Sequence, residues 1–591
     1  MAALAERYLL ALGWLSVYRR NDLSGDLIAG VITAILLVPQ AMAYSLLAGL
    51  PPEVGLYASI APPILYAFFG SSRALAVGPV AVASLMVAHA LTTIAPPGSP
   101  DYITAALTLA AMVGLVLTAM GLARLGFLAN FLSHPVMSGF TSAAAIVIAF
   151  SQLKHLFGVD APSNLRIDQL LLHLWQHFTD VKIVALSISL CAIAAILFTR
   201  RHLELLLTRV GLPHSFADLL VKAAPLILVA VTAMIAGFWQ LDQTGGLAVA
   251  GDIPAGLPPL TMPSFDARTW TSLASAAVLI ALVSFVESVA IAKALASRRR
   301  QKIDPDQELI GLGFANLGAG FTGGSPVCGG FSRSVVNFSA GANTQLAAIV
   351  TAGLIALTVT FFTPLFYYLP QAVLAAIIIV SILGLVDVAT LVKSWRYDKA
   401  DAVSLMVTFG AVLIEGIEVG ILTGVALSIL LYLWRTSRPH IAIVGRVGRS
   451  EHFRNIKRHS VTTWPNLLLI RVDESLYFAN TRYLEDHLLA AVAERSKIEH
   501  VVLICSAINV IDGSALESLE TLVRQLRSSG VTLHLAEVKG PVMDKLRRSE
   551  FLEKLEPGRV FLSTDNAVSA LAAPVGSDDA VSIETLSRTG S

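Results

Sequence analysis

Gly323-Gly324-Ser325-Pro326-Val327-Cys328-Gly329-Gly330-Phe331-Ser332-Arg333-Ser334 lies between apolar stretches long enough to span a bilayer. An ionisable side chain at membrane depth costs a few kcal/mol or more, so Arg333 is a functional-site candidate by position alone. The glycines and Pro326 break any helix just ahead of it. Such breaks are tolerated at that depth only where the backbone lines a cavity or is buried in protein. A helix starting near Phe331 points its free N–H groups, and Arg333, at that cavity. The combination is a receptor for an anion.

The composition fits a membrane-embedded chain. Apolar residues make up 55% and charged residues 14%, against about 25% charge in soluble domains. The mean hydropathy is +0.70. A net charge of +1 carries no nucleic-acid signature. The three cysteines, Cys191, Cys328 and Cys505, are far apart and have neither metal-ligand spacing nor the look of a disulfide framework. No metal cluster, nucleophile elbow or phosphate loop is present, so neither a cofactor nor an enzymatic activity is expected. A signal peptide is not expected, because Arg19-Arg20 is followed by polar Asn21-Asp22 and by an apolar stretch too long for an h-region. Leu9, Leu10, Leu12, Trp14 and Leu15 read as a short interfacial helix or an unstructured tail.

Working outward from Arg333, apolar segments run from about 26 to about 436 and make about fourteen elements, some too short to span alone. They fall near 26–47, 55–70, 78–94, 103–121, 135–152, 182–199, 221–239, 271–295, 307–322, 331–340, 344–362, 371–386, 400–415 and 417–434. With the N-terminus in the cytoplasm, the inner loops hold Arg19, Arg20, Arg73, Arg124, Arg200, Arg201, Arg298, Arg299, Arg300, Lys302, Lys393, Arg396, Lys399, Arg435 and Arg438. The outer loops 94–103 and 240–267 hold neither Lys nor Arg. Lys154, Arg166, Lys182 and Arg268 are exceptions to a bias that puts both termini inside.

The chain also echoes itself. Leu37-Val38-Pro39-Gln40-Ala41-Met42-Ala43-Tyr44 resembles Ser284-Phe285-Val286-Glu287-Ser288-Val289-Ala290-Ile291. Each is followed some forty residues later by a Gly/Pro break opening a short helix, at Gly78-Pro79-Val80 and at Gly329-Gly330-Phe331. Two halves with an odd number of elements must be inverted relative to one another, and paired breaks of this kind point to a midplane site.

Beyond Arg438-Pro439 the pattern changes. Residues 467–472, 501–505 and 531–536 read as strands, and 514–526 and 545–555 as helices, which together make a small α/β domain. The expected division is an N-terminal segment 1–25, a transport-type membrane domain 26–436, a cytoplasmic domain 437–573 and a disordered tail 574–591.

Pro39-Gln40-Ala41-Met42-Ala43-Tyr44, Pro51-Pro52-Glu53-Val54-Gly55-Leu56-Tyr57, Gly70-Ser71-Ser72-Arg73 through Gly78-Pro79-Val80-Ala81-Val82, Pro135-Val136-Met137-Ser138-Gly139-Phe140-Thr141, and the stretch from Glu287 to Gln345 resemble the sulfate permease family. The α/β tail resembles that family's STAS domain. The resemblance covers nearly the whole chain and is strongest to plant-type sulfate transporters. It implies a polytopic α-helical membrane protein folded as a 7+7 inverted repeat with core and gate domains, a homodimer, and elevator-like alternating access. A bacterial inner membrane with the STAS domain in the cytoplasm is the expected location, and membrane lipids are expected neighbours.

The expected substrate-binding residues are Gln40, Tyr44, Val80, Ala81, Phe331, Ser332 and Arg333. Gln40 and Tyr44 share one helix face, and by resemblance they line the substrate pocket with Val80. Two helix N-termini at roughly +0.5 each and Arg333 at +1 sum to about +2, enough to balance a divalent oxyanion. The competing readings are a structural ion pair for Arg333 and helix–helix hydrogen bonding for Gln40. Ser332 and Ser334 both offer hydroxyls, but helix geometry lets only one face the site easily. His89 and His134 read as helix-packing groups rather than proton relays.

Importing a dianion against 100 mV, inside negative, costs about 4.6 kcal/mol. Cotransported protons remove that cost, and Glu287 is the expected proton-coupling residue; its bland alternative is neutralising Arg333. The resemblance to plant-type members implies that the coupling acid stands at the Glu287 position. The expected function is therefore proton-coupled import of an oxyanion, most simply sulfate. The alternatives are an anion exchanger or sodium-coupled bicarbonate importer on the same fold, or an anion sensor without net transport. In the tail, Asp512 or Ser514 can cap the helix that follows. Ser514 aligns with the phosphorylated serine of related anti-sigma-factor antagonists, although Gly513 and Ala515 depart from that motif.

Overall fold

The computed structural model describes residues 14–15, 18–130, 133–161 and 167–573. The expectations for Leu9, Leu10, Leu12, Arg166 and the tail from 574 fall outside them. The chain divides into two compact units, Met1–Ser428 and Ile429–Ser591.

The first unit is helical. Among the described residues, seven helices are long and apolar enough to cross a bilayer. One is α1 (Arg20–Leu47), whose 28 residues extend about 42 Å at 1.5 Å each. Other expected elements are shorter. The stretch expected at 55–70 is two pieces, Pro52–Tyr57 and Ala61–Phe69, because Pro62 and Pro63 lack the N–H groups that would continue a helix through them. The stretch expected at 78–94 is an extended segment β1 (Val77–Gly78) followed by α2 (Ala81–Thr92). With 12 residues, α2 is only about 18 Å long and cannot cross a hydrocarbon core of about 30 Å.

Next along the chain, α3 (Ile183–Phe198) runs into a π-helical turn, Thr199–Leu203. Then come α4 (His214–Phe238), α5 (Ala267–Arg298) and α6 (Pro305–Phe321). A second extended segment, β2 (Cys328–Gly329), opens α7 (Phe331–Ser339), and α8 (Gln371–Ile382) follows. The repeat read from the sequence is thus visible as two matching devices: long helix α1 with β1 and α2, and long helix α5 with β2 and α7. Helix α6 packs against Pro100–Leu122 backbone to backbone. A Cβ added at Gly114 would lie 2.8 Å from the Gly313 carbonyl, and one added at Gly313 would lie 2.3 Å from Thr118 Oγ1. Small residues at such a crossing let membrane helices pack where no hydrophobic drive exists between them.

The second unit is a six-stranded sheet in the order β4-β3-β5-β6-β7-β8, made of Ile441–Arg446 (β3), Phe453–Asn455 (β4), Leu467–Val472 (β5), His500–Ile504 (β6), Thr532–Ala536 (β7) and Val560–Phe561 (β8). Strands β5 to β8 are parallel, while β3 and β4 are antiparallel additions at one side. Leu468, Ile470 and Val472 pack on one face of β5 and Leu467 and Leu469 on the other. Burial on both faces is why the central strands read as continuous apolar runs. The single helix expected at 545–555 is instead two, Gly540–Arg548 and Phe551–Leu555, parted by Glu550 at φ 57°. The helix expected at 514–526 is α9 (Gly513–Ser528), capped by Asp512, whose side chain accepts from Ala515 N.

Candidate anion-binding site

Pro39 lies inside α1. It withdraws one N–H from the helix ladder immediately ahead of Gln40. Gln40 and Tyr44 then project from one face, 3% and 8% exposed. Both border a cavity of about 410 Å³.

The opposite wall is built from the two breaks. β1 and β2 pair antiparallel, Val77 with Gly329 and Gly78 with Cys328, and Gly330 N donates to Ala76 O at 3.1 Å. This crossing brings the N-termini of α2 and α7 to the same cavity, at Val80, Ala81 and Val82 and at Gly330, Phe331 and Ser332. Neither cap residue, Val80 or Gly330, supplies a side-chain hydrogen bond to its helix. The first-turn N–H groups therefore keep their partial positive charge for whatever occupies the cavity. Around the crossing, Asn316 on α6 both accepts from Val327 N and donates to Val327 O, each at 2.9 Å. It fixes the chain just ahead of β2.

Arg333 is 2% exposed. Its Nη1 donates to Pro79 O at 2.6 Å, while Nε and Nη2 have no protein partner. A buried guanidinium with donors unsatisfied by protein is costly unless a ligand or water fills them. Gly330 makes room for it: a Cβ there would lie 2.8 Å from Arg333 Nη2. Of the two hydroxyls flanking Arg333, Ser332 borders the cavity, and Ser334 is turned away and accepts from Ala76 N at 2.9 Å.

Glu287, on α5, also borders the cavity. It forms no ion pair or hydrogen bond with Arg333, although both line this cavity. Its neighbour Ser288 accepts from Gly329 N at 2.8 Å, so α5 carries the acid and also holds β2. Every substrate-binding position expected from the sequence, together with Glu287, thus borders one cavity. His89 and His134 do not border it. Arg200, Lys222, Pro225 and Ser381 border it too, so Arg200, expected only as an inner-loop charge, also faces the cavity. The π-turn accounts for that. It shifts the helical phase at Arg200, so a regular period does not predict where its side chain points.

In the second unit, Ser514 is exposed in the first turn of α9, and the capping role belongs to Asp512, which also accepts from Phe478 N at 3.0 Å.

The sulfate permease family matches residues 23–408, and the STAS domain matches residues 458–567. The chain is 37% identical over 568 residues to probable sulfate transporter 4.2 of Arabidopsis thaliana, covering 94% of this chain and 82% of that protein. It is also 37% identical to sulfate transporter 4.1, chloroplastic, of the same plant, covering 94% and 81%. Its fold superposes on the murine Solute Carrier 26 family member A9 anion transporter, in the inward-facing state, with a TM-score of 0.87 and 24% identity over 96% of this chain and 95% of that one.

Proposed function

Because this chain belongs to the sulfate permease family and carries its STAS domain, and is an integral membrane protein, we propose that it is a secondary active transporter importing sulfate, or a closely similar oxyanion, together with protons by alternating access. The observation that carries this reading is Arg333: a buried guanidinium with two unpartnered N–H-bearing nitrogens, between two uncapped helix N-termini, on the wall of a cavity. That is chemistry for a small, multiply charged oxyanion. The names of the plant relatives support sulfate.

Glu287 supplies the coupling. Among the described lining residues it is the one acid. Unprotonated, it cancels about one of the roughly two positive charges facing the substrate. Protonated, it leaves the full charge for a dianion. Proton and sulfate therefore favour each other's binding, and coupling of this kind is reciprocal. The absence of an ion pair between Glu287 and Arg333 leaves the carboxyl available for that exchange. A second proton, needed to offset both charges of sulfate against the membrane potential, rides elsewhere or on the anion.

Both termini lie in the cytoplasm in this reading, as the distribution of Lys and Arg favours. Assembly as a homodimer is part of the same proposal and rests on family resemblance. The named relatives are plant proteins, so the expected bacterial inner membrane draws no support from them.

The test is radiolabelled sulfate uptake into proteoliposomes, with an inward proton gradient imposed and then collapsed. Gradient-dependent accumulation, lost in Glu287→Gln, is the expected result. Uptake that ignores the gradient removes the coupling. No sulfate uptake, with transport of bicarbonate or a dicarboxylate, removes the substrate and keeps the cavity.

A further inference from the structure

Among the described residues, three cationic side chains border the cavity: Arg333, Arg200 and Lys222. Their settings differ. Arg333 is buried where the two half-helices cross. Arg200 sits on the π-turn at the end of α3, and its Nη1 donates to the Val380 carbonyl, near the end of α8, at 3.0 Å. Lys222 lies on α4, three residues before Pro225, and both border the cavity. The π-turn divides its own side chains: Thr199 and Leu203 line an apolar groove shared with α4, whereas Arg200 lines the anion cavity. Tyr44 borders the same cavity as both arginines.

In the orientation proposed above, the end of α3 and the beginning of α4 face the cytoplasm. Arg200 and Lys222 then stand at the cytoplasmic mouth of the cavity. We propose that Arg200 and Lys222 form a second anion subsite there, which receives the oxyanion as it leaves the Arg333 site. This deepens the transport reading and rests on it. A dianion held by Arg333 and two helix N-termini sits in a deep well. Passage through a polar pathway requires binding strong enough to admit the ion and divided enough to release it. Two further cations on the same cavity give the departing dianion a second favourable position, so it leaves in two smaller steps rather than one. If Arg200 served only to anchor the Val380 carbonyl, and Lys222 only to hold its own contacts within the protein, neither charge would matter to substrate affinity.

The experiment is equilibrium binding of radiolabelled sulfate to the full-length protein in detergent, at low ionic strength and at physiological ionic strength set with choline gluconate. Wild type is compared with Arg200→Gln, Arg200→Lys, Lys222→Gln and Lys222→Arg. At low ionic strength each glutamine variant is expected to weaken binding about three- to tenfold, as loss of one nearby charge does in a partly screened cavity. The charge-keeping variants stay close to wild type, and the salt dependence of Kd becomes shallower only in the glutamine variants. Sulfate efflux from proteoliposomes slows in the same two. Unchanged Kd in both glutamine variants overturns the subsite; so does an equal loss in Lys222→Arg and Lys222→Gln. Unfolding temperatures without sulfate identify a variant that has simply lost its fold, in which case the other position carries the test. If wild type binds no sulfate, the substrate reading fails by itself, and the same series is scored with bicarbonate.

Discussion

Arg333 Nη1 donates to the Pro79 carbonyl at 2.6 Å, which fastens a side chain of α7 to the backbone turn that starts α2. The two half-helices come from distant parts of the chain, and this bond makes their N-termini one site. It also fixes the guanidinium so that Nε and Nη2, rather than Nη1, are left for a ligand. A lysine would keep the charge but cannot hold the carbonyl and present a fork at once.

Arg333→Lys is therefore expected to lose one charged hydrogen bond's worth of sulfate affinity, about 1.5–3 kcal/mol or roughly ten- to a hundredfold. Arg333→Gln loses the charge as well and should bind no measurable sulfate. Radioligand binding to purified protein checks both. Equal affinity of Arg333→Lys and wild type would mean that the fork is not used.

Gly330→Ala tests the room left for that guanidinium. The added methyl would lie 2.8 Å from Nη2 and 2.9 Å from Cζ, so Arg333 or the crossing must shift. Overpacking of this kind typically costs about 1–3 kcal/mol. The expected outcome is a folded protein whose sulfate Kd rises more than its unfolding temperature falls. Gly353→Ala, where an added Cβ meets nothing within 4 Å, is the matched control and should leave both unchanged.

Glu287→Gln removes the proton-binding group and keeps a side chain of the same shape. Accumulation driven by a pH gradient should disappear. Sulfate-for-sulfate exchange at equal pH should persist, because the permanently neutral side chain imitates the protonated state. Sulfate Kd, which in wild type is expected to tighten as pH falls, should become flat with pH in the variant. Exchange lost together with accumulation would instead mark Glu287 as part of the binding site itself.

Much of this was legible in the sequence because membrane helices leave strong signals. Long apolar runs fixed α1 and α5, and the Gly/Pro breaks before Val80 and Phe331 marked the half-helices, since no regular helix survives them. Gln40, Glu287 and Arg333 stood out as polar groups among apolar neighbours. Arg200 and Lys222 did not stand out. A charge near a helix end is the ordinary signature of the inner membrane face, and only the π-turn and the approach of α4 bring these two to the cavity. In the second unit, β5, β6 and β7 read as continuous apolar runs, whereas the run in β3, Ile441-Ala442-Ile443-Val444, is only four residues long and β4 is the three-residue Phe453–Asn455. Helix 481–493 was missed too, although its buried positions Leu484, Leu488 and Ala491 recur at helical spacing.

Asp512 closes the first turn of α9 through Ala515 N at 2.8 Å and ties the chain at Phe478 N at 3.0 Å. Asp512→Ala should destabilise the helix by about 1 kcal/mol, up to ~2 kcal/mol. Hydrogen exchange of the intact protein would show this as faster exchange across 513–528. Ser514 is exposed and makes no cap, so Ser514→Ala should leave those rates within error.

His534 gives the second unit a pH limit. Its Nδ1 accepts from Arg559 N at 3.1 Å, so the ring proton is on Nε2, which donates to His500 Nδ1 at 3.3 Å. Burial, reinforced by the neighbouring His500 and Arg559, lowers the His534 pKa from 6.5 to about 4. Protonation would destroy the acceptor at Nδ1. The folded state therefore binds this proton less readily than the unfolded state. Its contribution to stability is fully present above about pH 6.5 and is lost progressively as pH falls toward about 4. Exchange protection of the β7 amides, 532–536, should decline across that window in the intact protein once the intrinsic pH dependence of exchange is removed. His534→Gln keeps an acceptor but cannot titrate there, so it should start less protected at pH 7 and show a flatter decline. An equally steep decline in the variant would assign the pH limit to another group.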